Sequence, residues 1–110
     1  MTKAIFKFSN NLFQSLEVSG HSGYQEHGSD IVCSAISTAV FTTINLIDKK
    51  LGNKSYHLIQ KEDKGYLFFE MIKIEDIDFV NLVFDNLYDM LTDIEKDYHK
   101  FLQVKKENNN

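Results

Sequence analysis

The chain has 110 residues, a formal net charge of −4, and 43% hydrophobic and 13% aromatic side chains, enough for one buried core and too little for two. A mildly acidic balance without a basic patch excludes a protein held to nucleic acid by phosphate contacts, and a single cysteine excludes an internal disulfide. No apolar run reads as the roughly 20 residues of a membrane span, and the alternating start MTKAIFKFSN has no signal-peptide core, so a cytoplasmic protein is expected.

Ala4 to Phe8 alternate as AIFKF, Ser9-Asn10-Asn11 is a turn signal, and LFQSLEV follows with Leu12, Gln14, Leu16 and Val18 on one face. These segments form an antiparallel hairpin, and the Asn-Asn pair tolerates the positive φ of a tight turn. A glycine-rich loop then covers residues 19–29 and is expected to be mobile. A helix is expected over residues 31–51, with Ser29 or Asp30 as N-cap, Lys49 and Lys50 in its last turn and Gly52 just beyond its end. Its apolar stripe is Val32, Ala35, Ile36, Ala39, Val40, Thr43, Leu46 and Ile47.

SYHLIQ and YLFFEMI, separated by KEDKG, are a second hairpin. A second helix is expected from Asp76 or Asp78 to Phe101, with Val80, Phe84, Leu87, Leu91, Ile94, Tyr98 and Phe101 facing a core or a dimer partner. A short final strand over 101–105 closes the list, before a disordered Asn-rich tail at 107–110. The order ββαββα, with that short strand, gives an α+β fold: one mainly antiparallel sheet packed by two helices, in a single domain of residues 1–106.

The chemistry concentrates in GHSGYQEHGSDIVCSAIS, residues 20–37. A thiolate is the reactive form of cysteine, and Cys33 falls near a helix start, where backbone N–H groups and the helix dipole favour negative charge. His21 or His27 could take the thiol proton, and Asp30 could orient a histidine or cap the helix. Ser37, four residues after Cys33, shares its helical face. Against this stands the plain reading of Cys33 as a small core hydrophobe, His27 as a polar loop residue and Asp30 as a cap. His57 and His99 read as structural or solvated. A metal centre of His21, His27, Asp30 and Cys33 matches no zinc spacing, and neither a metal nor a cofactor is expected.

The same string resembles the signature of the ribosomal-processing cysteine proteases, the Prp family: Gly20-His21, a loop around Gly23-Tyr24 and Gly28, then Asp30-Ile31-Val32-Cys33. The resemblance extends over residues 3–106. It implies Cys33 as nucleophile and His21 as general base, with Asp30 and Ser37 as supporting residues. Gly20 would bring backbone close to the reacting carbonyl, and Gly23, Tyr24, His27 and Gly28 would belong to a lid over the substrate. It further implies a homodimer whose substrate is the N-terminal extension of large-subunit ribosomal protein number twenty-seven, cut after a Phe. His27 stands where the family often has Tyr or another residue. Other functions open to such a sequence are a non-catalytic ribosome-assembly adaptor and a metal-binding regulator.

Overall fold

The computed structural model describes residues 1–20 and 29–109. Among the described residues, five strands and two helices follow one another as β1 (Thr2–Ser9), β2 (Leu12–Ser19), α1 (Ser29–Leu51), β3 (Tyr56–Lys61), β4 (Tyr66–Met71), α2 (Ile77–Asp97) and β5 (Leu102–Asn109). A single 3₁₀ turn, Glu62–Lys64, joins β3 to β4. The strands form one sheet in the order β3-β4-β2-β1-β5. Among the described strands every pairing is antiparallel except β1 with β5, so the sheet is mixed but mainly antiparallel, as expected. The α+β architecture inferred above holds, with the last strand eight residues long.

Both hairpin and helix signals act locally as expected. Asn10 and Asn11 take φ of 52° and 64°, the pair of left-handed residues that a two-residue turn between twisted strands requires. Asp76 caps α2 by accepting a hydrogen bond from the Phe79 N–H at 3.1 Å. Helix α1 begins two residues earlier than expected, so Ser29 and Asp30 lie inside it rather than capping it. Helix α2 ends at Asp97, capped by Tyr98, and Phe101 enters the core from the segment beyond it.

One face of the sheet carries the core. Thr2, Ala4, Phe6 and Phe8 alternate inward along β1, and Leu67, Phe69 and Met71 do so along β4. On β2 the pattern departs from simple alternation. Lys7 pairs with Ser15 but Phe8 with Phe13, so Gln14 is an extra residue, a β-bulge. The bulge rotates Phe13 into the core in place of Leu12, and its ring stacks on Phe84 with centroids 3.6 Å apart and planes 3° from parallel. Phe69 adds a third ring, 5.3 Å from Phe84.

The segment 31–51 has a mean hydropathy of 1.6 and, by length and composition alone, could cross a membrane, contrary to the expectation that no segment is apolar enough. Its apolar face is instead occupied here: Val32, Ile36, Ala39, Val40, Ile44 and Ile47 are buried in the core.

Residues Glu107 to Asn109, expected as a disordered tail, continue β5 alongside β1 as far as the pair Ser9 and Asn109. The turn supplies their partners. The Asn10 N–H donates to the Asn109 carbonyl at 2.7 Å, and the Asn108 amide donates to Asn11 Oδ1 at 2.7 Å while its Oδ1 accepts from the Asn11 N–H at 3.2 Å. Asn108 is thereby held in the sheet by its side-chain amide and Asn109 by its backbone carbonyl, in a segment that composition alone marks as disorder-prone.

Candidate active site

The N-terminal half of α1, the ends of β2 and β3, and the start of β4 enclose a cleft of about 470 Å³. Its apolar floor is formed by Val18, Ile36, Val40, Phe41 and Leu67, and its rim by Gly20, Cys33, Ser37, Gln60 and Glu62. The floor follows from periodicity: Ile36 and Val40 are one turn apart on α1, and Val18 and Leu67 are register partners on β2 and β4.

Cys33 is the fifth residue of α1 and half-buried, and one turn further on Ser37 is exposed beside it along the same cleft. It therefore belongs to the second turn, one turn deeper than the sequence suggested. Among the described residues, the N–H groups that the helical bond pattern leaves without an intrahelical partner are those of 29–31, just ahead of it. The plain reading of full burial in the core does not describe this thiol.

Gly20 closes the opposite end. Its N–H donates to the Gly65 carbonyl at 2.9 Å, and its carbonyl accepts from Thr2 Oγ1 at 3.4 Å. With φ of +89° and the Met1 carbonyl oxygen only 2.5 Å from where a Cβ would sit, the position admits glycine alone without displacement. Gly65 is itself left-handed, at φ 59°, where it ends the 3₁₀ turn. The strand end that leads into residue 21 is thus held by β1 on one side and by the β3–β4 connection on the other.

On the sheet face away from the helices, the Tyr66 hydroxyl donates to Glu17 Oε2 at 3.0 Å. That hydrogen bond is the main cause that raises the Tyr66 pKa above 10.0, with burial and the Glu17 charge adding to it.

Of the residues singled out from sequence, Cys33, Ser37 and Gly20 meet at this cleft. Asp30 lies in the first turn of α1, and its side chain falls outside the described residues. His21, Gly23, Tyr24, His27 and Gly28, and with them the lid and the base, also lie outside them. His57 faces Glu70 at 3.5 Å on the exposed side of the β3–β4 pair, away from the cleft, as a structural residue would. Sequence reading missed Phe41, Gln60, Glu62 and Tyr66. KEDKG carries a polar-loop signal only, and nothing local to it reveals that Glu62 reaches the rim of a cleft built on α1.

Comparison with known proteins decides the family. The model of the family described as cysteine protease Prp matches residues 1–103. The chain belongs to the Prp family. The protein is accordingly a cysteine protease. It is 32% identical over 93 residues to the ribosomal processing cysteine protease Prp of Bacillus subtilis, with 82% of each chain covered. Among solved structures, a Streptococcus mutans protein superposes with a TM-score of 0.85 at 27% identity, covering 98% of this chain and 95% of that one. The essential ribosomal processing protease Prp of Staphylococcus aureus, crystallised with a covalently linked product peptide, shares the fold at a TM-score of 0.83 and 19% identity. That match covers 97% of this chain and 100% of the other.

Proposed function

We propose that this Prp protease is a ribosomal-processing endopeptidase. Its substrate is the N-terminal extension of large-subunit ribosomal protein number twenty-seven, cut after a Phe through a dyad of Cys33 and His21. The observation that carries the reading is the position of Cys33: the chain's one thiol stands half-buried on the wall of an apolar cleft at the start of a long helix. The floor of Val18, Ile36, Val40, Phe41 and Leu67 suits an aromatic side chain next to the scissile bond. The relatives named ribosomal processing proteases, one of them crystallised with a product peptide, support the same substrate class.

In this reading His21 takes the Cys33 proton and the thiolate sulfur bonds to the scissile carbonyl carbon, giving a tetrahedral oxyanion. The N–H groups of residues 29–31 at the helix start are the candidate donors for that charge, and a well-placed oxyanion donor contributes about 3–4 kcal/mol to the transition state. Collapse expels the amine, which takes the proton from His21. Water then attacks the thioester and regenerates the thiol. Asp30 and Ser37 support the dyad, and residues 23–28 act as the lid. The enzyme works in the cytoplasm as a homodimer, with no cofactor. We assign the second copy to the groove of about 720 Å³ between α1 and α2, where Leu46, Leu82 and Met90 are exposed.

The test is cleavage followed by mass spectrometry. Wild type and Cys33→Ala are incubated with the ribosomal protein carrying its extension. One cut after a Phe by wild type, and none by the variant, is the expected result. Cleavage by Cys33→Ala would overturn the nucleophile assignment. Binding without cleavage by wild type under reducing conditions would favour the adaptor reading.

A further inference from the structure

The cleft beside Cys33 is apolar on its floor but carries one formal charge. Among the described residues that line it, Glu62 is the sole ionisable carboxylate, and no lysine, arginine or histidine accompanies it. Glu62 sits on the wall made by the β3–β4 connection, across from α1. It forms no ion pair among the described residues, although Lys61 and Lys64 flank it in sequence. Lys61 is not among the lining residues, and strand alternation places it on the sheet face opposite to that of Gln60. Gln60 is the register partner of core-facing Leu67, and its amide donates to Glu62 Oε1 at 3.3 Å. That contact uses Oε1, and Oε2 has no hydrogen bond or ion pair among the described residues.

We propose that Glu62 is a specificity residue of the protease: its carboxylate selects peptides that carry Lys or Arg near the apolar residue seated in the cleft. An exposed carboxylate next to an apolar floor discriminates by charge more than by shape. It favours a cation, disfavours a substrate carboxylate, and loses its effect as salt screens it. The inference rests on the cleft being the substrate site of the proposed reaction, and it adds a charge preference that the apolar floor alone does not supply.

The experiment uses the full chain and peptides spanning the Phe cut site, with Lys, Gln or Glu placed in turn at each position within four residues of the Phe. Each is measured for kcat/KM and, by fluorescence anisotropy, for binding to the Cys33→Ala protein. At the responsive position Lys should exceed Gln by about fivefold at low salt, the size of one exposed charge contact, and the ratio should fall toward one in 0.5 M salt. Glu62→Gln should abolish the Lys-to-Gln ratio, and Glu62→Lys should reverse it toward Glu peptides. Equal rates for Lys and Gln peptides at every position, or a preference that survives in Glu62→Gln, would overturn the proposal while leaving the protease assignment standing. If wild type cleaves none of the peptides yet binds the Lys series more tightly through Glu62, the charge preference stands and the proposed substrate falls. If neither cleavage nor binding depends on charge, the proposal is wrong.

Discussion

Replacing Gly20 by alanine tests how the strand end that leads into His21 is held. Two costs add at this position. An alanine at φ +89° costs about 1–2 kcal/mol relative to glycine, because its Cβ crowds its own backbone. The new Cβ would also lie 2.5 Å from the Met1 carbonyl oxygen and 3.5 Å from its carbon, so β1 or β2 must shift. The shift loosens up to three hydrogen bonds that converge there: Thr2 N–H to Phe101 O at 2.8 Å, Gly20 N–H to Gly65 O at 2.9 Å, and Thr2 Oγ1 to Gly20 O at 3.4 Å. With about 1 kcal/mol for each bond lost and one or two of them lost, the total is about 2–4 kcal/mol. At an unfolding entropy of about 2.1 cal/mol/K per residue, this domain should lose roughly 9–17 °C of Tm. Gly52 provides the control. It has φ +86° but nothing within 4 Å of its Cβ position, so Gly52→Ala should show only the backbone cost. Urea unfolding of both variants separates the two effects. Equal losses for Gly20→Ala and Gly52→Ala would refute the claim that the Met1 contact holds the strand end. Cleavage should fall further in Gly20→Ala than its fraction unfolded explains, because the displaced residue adjoins the proposed base.

Three further outcomes are expected. Phe84→Ala removes the ring that stacks on Phe13 and meets Phe69, and should cost about 3–5 kcal/mol in denaturant unfolding; a loss under 1 kcal/mol would mean that these rings do not form the centre of the core. Leu82, 67% exposed on the α1–α2 groove, should be tolerated as Glu by the fold but should convert the proposed dimer to a monomer in light scattering; the same mass for variant and wild type would refute the assignment of a second copy to this groove. Tyr66 is stabilised in its neutral form by Glu17, a contribution fully present below pH 10 that is lost as pH rises through the raised folded-state value. Tyrosinate absorbance should therefore show one group fewer titrating late in Glu17→Gln than in wild type, and superimposable curves would remove the hydrogen bond from the account.

The sequence by itself determined the features that act over one turn or one strand. Asn10-Asn11 dictates its turn because two adjacent residues must take positive φ, and asparagine does so at low cost. The stripes Val32-Ile36-Val40-Ile47 and Val80-Phe84-Leu87-Leu91 specify which helix faces are buried, since 3.6-residue periodicity is written in the chain. Cys33 and Ser37 shared a face for the same reason. What local pattern could not supply was decided by pairing between distant segments. The bulge at Gln14 exists only because β1 and β2 settle in one register, and it exchanges Leu12 for Phe13 in the core. The tail residues Glu107 to Asn109 look unstructured until the Asn10-Asn11 turn offers them partners almost a hundred residues away. Gln60, Glu62 and Phe41 acquire their place at the cleft only when the β3–β4 hairpin is set beside β2 and across from α1. Periodicity tells which side of an element is apolar; which element it meets, and so what lines the cleft, is a property of the assembled sheet.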